Sequence, residues 1–152
     1  MEWLDGETIF DAYLSNTLHA DTQVEDHAVS LTAGNIYRVE NPGDLDFGGS
    51  EFKLANREAI APEKRHAEDD YGWWELNEGT VLLELNENIT YSGGFTAVLH
   101  PHDHLTWNGA SHPTLWLSDA EADMRLLLPL HVPESGVNIK ENARVTSLRV
   151  SN

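Results

Sequence analysis

Three alternating histidines near position 102 are the residues best suited to chemistry. The cluster comprises His100, His102 and His104. On a β-strand, alternate residues lie on one face, and imidazoles that share a face can bind a divalent metal. The spacing therefore predicts a divalent-metal site, with Asp103, His112 or His131 as further ligands, and it indicates no other cofactor. The alternative is a polar loop with local hydrogen bonds, because Pro101 interrupts regular strand pairing.

Two other patterns have both a functional and a structural interpretation. Asp119, Glu121 and Asp123 alternate, a spacing that can bind a hard cation, but an acidic surface produces the same spacing without any site. Residues 48–50, Gly-Gly-Ser, could hold a phosphate through backbone N–H groups. No lysine follows at the spacing of a P-loop, so these residues are predicted to form a turn.

The charge of the chain is strongly one-sided. Its 152 residues include 26 acidic and 9 basic residues, which gives a formal net charge of -17. The acids are dispersed and only three residues are lysine, a pattern that indicates an acidic surface like those of proteins in high-salt cytoplasms. Because no basic patch can neutralise phosphates, strong nucleic-acid binding is not expected.

Composition also limits the compartment and the chemistry. The chain has no cysteine, so it has no disulfide, zinc-thiolate site or thiol nucleophile. No apolar run approaches the ~18–20 residues that span a bilayer. Acidic residues follow Met1, where a signal peptide would be basic and then apolar. We therefore expect no transmembrane helix and no signal peptide, and a location in a virion or in the cytoplasm of a high-salt organism.

The periodicity of the apolar residues changes after about position 20. From Asp5 to Leu18 the apolar residues recur at helical spacing, and Asp5 is suited to cap a helix at residues 7–18. Later segments alternate and are separated by turn signals such as 41–43 and 77–79. The stretch 44–70 has few large apolar residues and is predicted to be a long excursion or short strands. The pattern predicts a mainly β fold, a barrel or sandwich, with one N-terminal helix.

Three segments resemble the dUTPase / dCTP deaminase family. Residues 23–34 are similar to its early strand, residues 74–83 to a strand–turn–strand unit, and residues 143–148, Ala-Arg-Val-Thr-Ser-Leu, to a strand near its C-terminus. The resemblance implies a dUTPase-like distorted β-barrel or jelly-roll-like fold and a homotrimer with sites between subunits. It divides the chain into an N-terminal helical segment, residues 1–22, and a barrel domain, residues 23–152.

The residues that match the family's functional motifs differ from them. A phosphate-binding Pro-Arg-Ser-Ser-type segment falls on residues 101–104, where Asp103 adds a negative charge. Asp119 matches the family's water-activating aspartate, but the tyrosine and glycine that follow it are replaced by Ala122 and Met124. Pro129 stands where the deaminase branch has a glutamate, and Ser30 stands where the early strand has an aspartate. The chain also ends before the glycine-rich tail of dUTPases would begin.

These differences favour a protein that has the fold of the family but does not catalyse its reactions. The first hypothesis is a non-catalytic structural protein of the dUTPase fold, a homotrimer that decorates or stabilises a larger shell such as the capsid of a virus of halophiles. The alternative is a divergent nucleotide hydrolase or deaminase with Asp119 as the catalytic residue. A third hypothesis is a metal-dependent cupin-like enzyme, since Gly94 and the histidines match the first half of a cupin motif.

Tryptophans are the predicted interface residues of the trimer. The four are Trp73, Trp74, Trp107 and Trp116. Large aromatic rings either fill a core or are covered at an interface, and they could also stack nucleobases. Either the N-terminal segment or the stretch 44–70 is expected to meet a partner.

The charge predicts that stability depends on salt. Raising KCl from about 0.1 M to about 2 M shortens the screening length several-fold, which weakens the self-repulsion of the acidic residues. The melting temperature is expected to rise over this range, and the protein is expected to unfold or dissociate at low salt. Differential scanning calorimetry at several KCl concentrations measures this. A constant melting temperature would contradict the interpretation of the charge as an adaptation to salt.

Overall fold

The computed structural model describes residues 2–91, 93–118 and 124–152. Its helices are short: α1 (Gly6–Thr8) continues into a π-helical turn at Ile9–Tyr13, and α2 (Ala20–Gln23) and α3 (Asp103–Trp107) follow later in the chain. The strands are β1 (Leu14–Ser15), β2 (Val29–Asn41), β3 (Asn56–Ala59), β4 (Trp73–Leu76), β5 (Gly79–Ile89), β6 (Thr96–Pro101), β7 (Leu115–Ser118), β8 (Met124–Val132), β9 (Val137–Lys140) and β10 (Arg144–Ser151). No described helix is long and apolar enough to span a membrane.

The predicted mainly β fold is confirmed. Within the described residues, one antiparallel sheet has the order β1-β5-β2-β10-β6-β7, with β3 also paired to β2 and β8 to β5. The sheet curls into a half-barrel around an apolar core, and the pair β4–β9 forms a second, two-stranded sheet. Register shifts in β2 and β10 interrupt regular pairing, as β-bulges do where a sheet bends.

The N-terminal helix starts as predicted but ends early. Asp5 caps it, since the Thr8 N–H donates to Asp5 Oδ1 at 2.8 Å. The predicted end near Leu18 is wrong: after Tyr13 the chain becomes extended, and Leu14 and Ser15 pair with the end of β5. The pairing buries Leu14 and leaves Leu18 exposed, so the helical spacing of these two leucines does not reflect one shared face.

The excursion at 44–70 contains one strand, β3, which pairs with the second half of β2. The connection before β3, residues 42–55, is here called the β2–β3 arm. The backbones of Asp44 and Lys53 pair in an isolated antiparallel β-bridge that closes the arm. Within the arm, the Asp46 carboxylate accepts hydrogen bonds from two backbone N–H groups. Its large apolar side chains are all exposed: Leu45, Phe47, Phe52 and Leu54. The arm is therefore ordered by polar contacts, while its apolar groups face outward.

Candidate functional site

The histidine cluster lies at the junction of β6 and α3. His100 and Pro101 end β6, where they lie opposite Ser147 and Thr146 of β10. His102 then caps α3: its Nδ1 accepts a hydrogen bond of 3.0 Å from the His104 N–H. Because the strand ends at Pro101 and a helix begins, the three histidines do not alternate on one strand face.

The junction brings two of the three predicted ligands together. The rings of His102 and His104 have centroids 4.6 Å apart, and His104 lies 5.7 Å from Trp107. His100 lines a cavity with His102. Among the described residues no group of three or more histidine, aspartate and glutamate side chains is arranged to hold a metal ion. The metal site on His100, His102 and His104 stays a prediction.

The further candidate ligands His112 and His131 are engaged elsewhere. His112 is buried, with Nε2 2.9 Å from the Thr146 hydroxyl and Nδ1 2.9 Å from the Pro113 carbonyl. Burial lowers its pKa, which favours the neutral ring. His131 Nδ1 lies 3.0 Å from the Thr80 hydroxyl, on the neighbouring strand β5. Both rings therefore already contact hydroxyl groups of adjacent strands.

A cavity of about 210 Å³ opens beside the junction. It is lined by Glu25, His100, Pro101, His102, Asp103, Ser147 and Arg149. Burial is the largest cause that lowers the pKa of His102, and the neighbouring His104 and Arg144 lower it further, which disfavours the charged form of this ring. Two carboxylates then face one guanidinium, in the segment where the resemblance implies phosphate binding. This charge balance disfavours a triphosphate.

The other motif residues lie in two different situations. Ser30, at the position of the family's early aspartate, is fully buried, and its hydroxyl has no hydrogen-bond partner among the described residues. It therefore cannot contact a ligand in this cavity. Asp119, the predicted catalytic residue of the enzyme hypothesis, and its neighbours Glu121 and Asp123 lie outside the described residues.

The four tryptophans differ in exposure. Trp74 is only 2% exposed, and its indole N–H donates to the Ile60 carbonyl at 2.8 Å, so it is a core residue and offers no surface to a second copy. Trp73 is half-buried, with the Arg65 guanidinium 3.6 Å above its ring. Trp107 and Trp116 are 75% and 63% exposed. Their rings remain accessible for an interface.

A buried carboxylate was not among the residues predicted from the sequence. Glu87 of β5 is inaccessible to solvent and accepts three hydrogen bonds: from Gln23 Nε2 at 2.8 Å, from the Thr32 N–H at 2.9 Å and from the Thr32 hydroxyl at 2.7 Å. Gln23 Oε1 in turn accepts from the backbone N–H groups of Leu18 and His19. Glu87 thereby fixes α2 and the chain before it against β2 and β5.

The comparisons with known proteins agree with this fold. No family model matches the chain. A probable deoxyuridine 5'-triphosphate nucleotidohydrolase of Methanosarcina mazei is 27% identical over 136 residues, which cover 89% of this chain and 75% of the relative. A probable enzyme of the same name from Methanococcoides burtonii is 26% identical over 136 residues, covering 89% of this chain and 76% of the relative.

A solved structure matches nearly the whole chain. The crystal structure of 2'-deoxycytidine 5'-triphosphate deaminase from Agrobacterium tumefaciens superposes with a TM-score of 0.65 at 13% sequence identity, over 97% of this chain. The match covers 48% of the deaminase, so this chain spans about half of its length. The architecture is thus that of the dUTPase-like β folds. In sequence and in fold, the chain is similar to proteins of the dUTPase / dCTP deaminase family, as the resemblance indicated.

The burial of Glu87 predicts that the difference in free energy of unfolding between the wild type and the Glu87→Gln variant depends on pH. Desolvation raises the pKa of the folded Glu87 above its value in the unfolded chain, although its hydrogen bonds oppose this effect. As pH rises from about 4 to about 8, the unfolded state therefore loses this proton first, and the free energy of unfolding of the wild type falls relative to the variant.

Urea unfolding of both proteins at constant molar salt measures this difference. The variant keeps all the other carboxylates of the chain. The difference between the two free energies of unfolding at each pH therefore reports the titration of Glu87 alone. A wild type that gains stability over the variant as pH rises would show that the hydrogen bonds outweigh desolvation and that the pKa is lowered instead.

Proposed function

We propose that the protein is a non-catalytic member of the dUTPase fold, with a structural role in a homotrimeric assembly. The observation that carries the proposal is the cavity at the β6–α3 junction. Glu25 and Asp103 line it, where the resemblance implies donors for phosphate groups, and burial lowers the pKa of His102, which disfavours the charged form of that ring. Among the described residues, Arg149 is the one guanidinium or ammonium group that lines this cavity. A developing phosphate charge would gain little stabilisation in such surroundings.

The exposed apolar groups support the assembly. The β2–β3 arm carries Phe47 fully in solvent and Leu45 almost so, and Trp107 and Trp116 add two exposed rings. Exposed groups of this size are typical of surfaces that a partner covers. A cyclic trimer gives each copy the same contacts, and the family resemblance implies this symmetry.

The partner in this proposal is a larger protein shell, such as the capsid of a virus that infects halophiles. The net charge of -17 suits a surface that faces concentrated salt, because screening there shortens the range of repulsion between copies. The acidic residues would face solvent, and the β2–β3 arm or the N-terminal segment would face the shell. No cofactor is required for this role.

The absence of catalysis is directly testable. Purified protein with dUTP or dCTP, Mg²⁺ and molar KCl is expected to release neither pyrophosphate nor ammonia above background, because the cavity lacks the cations to hold a triphosphate. A dUTPase active in the same buffer is the positive control. Turnover by this protein would contradict the proposal.

The second candidate function, a divergent nucleotide hydrolase or deaminase, has one observation in its favour. Relatives named as probable nucleotidohydrolases match 89% of the chain at 26–27% identity. In this alternative Asp119 activates the water. Turnover that Asp119→Ala abolishes would establish it, and turnover that Asp119→Ala leaves unchanged would point to a contaminating enzyme.

The assembly is tested by replacing exposed apolar residues. In molar KCl, light scattering is expected to give the mass of a trimer for the wild type. The double variant Phe47→Ser/Trp116→Ser is expected to shift toward the monomer, because truncating interface aromatics costs about 2 kcal/mol or more each. The double variant Asn77→Ser/Glu78→Ser, at an exposed turn, is the matched control. A monomeric wild type would contradict the trimer.

A further inference from the structure

A second, larger cavity shares no lining residue with the cavity at the β6–α3 junction. Its volume is about 500 Å³, within the ~300–1,000 Å³ typical of small-molecule sites. One side is formed by the chain around α2 with Leu18 and His19, and the opposite side by residues 140–144 in the turn from β9 to β10. His104 of α3 contributes a third side. With Thr32 of β2, four separate segments therefore converge on one concave space.

Positive charge is concentrated in this cavity. Lys140 and Arg144 line it, two of only nine basic residues in a chain with 26 acidic ones. Glu141 also lines it, with Oε2 accepting from the Gly72 N–H at 2.7 Å, so the lining holds two cationic side chains and one carboxylate. The charge of Arg144 also reaches the neighbouring His102, whose pKa it helps to lower. The cavity lining therefore carries one net positive charge, in a chain whose formal net charge is -17.

Hydrogen bonds within the protein preorganise the lining of the cavity. Gln23 and Thr32 form part of the lining and are fixed by Glu87. Asn142 adopts a positive φ of 68° and is held by hydrogen bonds of 2.9 Å from the Asn86 amide to its side chain and from its own N–H to the Ala33 carbonyl. A fixed wall avoids the entropy cost of ordering a loop on binding.

The lining combines two kinds of surface. Lys140 and Arg144 offer charged donors, and a guanidinium can bind a carboxylate or phosphate through two parallel hydrogen bonds. Leu18 and Ala143 offer apolar contacts beside them. Small-molecule sites typically have this mixture, in which apolar area contributes affinity and a few polar groups fix orientation.

We propose that this cavity binds a small organic anion, whose phosphate or carboxylate group pairs with Arg144 and Lys140 and whose apolar body lies against Leu18 and Ala143. The site shares only His104 with residues 101–104, the segment that resembles the family's phosphate-binding motif. The inference does not depend on the structural role proposed above, because a non-catalytic trimer and an enzyme would present the same cavity.

The test uses isothermal titration calorimetry with three probes of similar size at constant ionic strength: phenyl phosphate, benzoate and the uncharged benzyl alcohol. Phenyl phosphate or benzoate is expected to bind saturably, and the tighter of the two identifies the preferred anionic group. Benzyl alcohol is expected not to bind. A fourth, smaller probe, inorganic phosphate, is expected to bind more weakly than phenyl phosphate, because it lacks the apolar body.

Variants locate the site. Arg144→Gln and Lys140→Gln are each expected to weaken the anion's binding about tenfold, the effect of one charge-assisted hydrogen bond. Lys53→Gln, which removes an exposed cation from the β2–β3 arm, is the matched control and is expected to leave affinity unchanged. Lys140 is itself exposed, so its variant remains informative if Arg144→Gln perturbs folding.

Three results would overturn the proposal. The first is the absence of saturable binding of either anion up to about 10 mM. This concentration exceeds the dissociation constant expected of even a weak specific site, about 1 mM. The second is binding of benzyl alcohol as tight as that of the anions. The third is binding that Lys140→Gln and Lys53→Gln reduce equally, which would indicate a diffuse attraction to any cation.

Discussion

The burial of one carboxylate is the constraint on which both cavities depend. Glu87 lies beneath the sheet surface with no solvent contact, and such a group is tolerated only when its oxygens are paired. Gln23 and Thr32 donate hydrogen bonds to its carboxylate. The side-chain oxygen of Gln23 also accepts hydrogen bonds from the backbone N–H groups of residues 18 and 19, which ties this segment to Glu87. The larger cavity uses Gln23 and Thr32 directly, and the smaller one uses Glu25, which follows two residues after Gln23. Loss of this interaction would therefore loosen both sites together.

The few cationic side chains are unevenly distributed, so the two cavities differ in their local charge. Arg65 and Lys140 both approach the ring of Trp73, and Lys140 lines the larger cavity together with Arg144. On a protein with so few cations, this clustering creates a local field that opposes the global one. The smaller cavity lacks such a field, because its two carboxylates outnumber its guanidinium. The larger cavity, lined by Lys140 and Arg144, thus overlaps only at His104 with residues 101–104, the segment that resembles the family's phosphate-binding motif.

Local sequence patterns predicted the strands better than the contacts between distant segments. The alternation at 143–150 and the turn at 77–79 correspond to β10 and to the start of β5, because two-residue periodicity and glycine turns act over a few residues. The helix was predicted too long, since Leu14 bonds to β5 some 75 residues away in the chain. Glu87 was missed because an acid among other acids is indistinguishable from a solvated one until the strands pair. The cavity around Arg144 joins segments far apart in sequence, which no local pattern can reveal.

The position of β2 in the sheet has a consequence for the order of folding. This strand pairs with β5, with β3 and, at Val29, with Leu148 of β10, so the strand at the centre of the sheet lacks one neighbour until nearly the whole chain is present. Contacts between such distant residues slow folding, because a long loop must close before they form. During synthesis on the ribosome, the nascent chain would hold β2 with an open edge until β10 emerges. The acidic residues then act as a charge barrier between neighbouring nascent chains, at the stage when the sheet is most exposed to wrong partners.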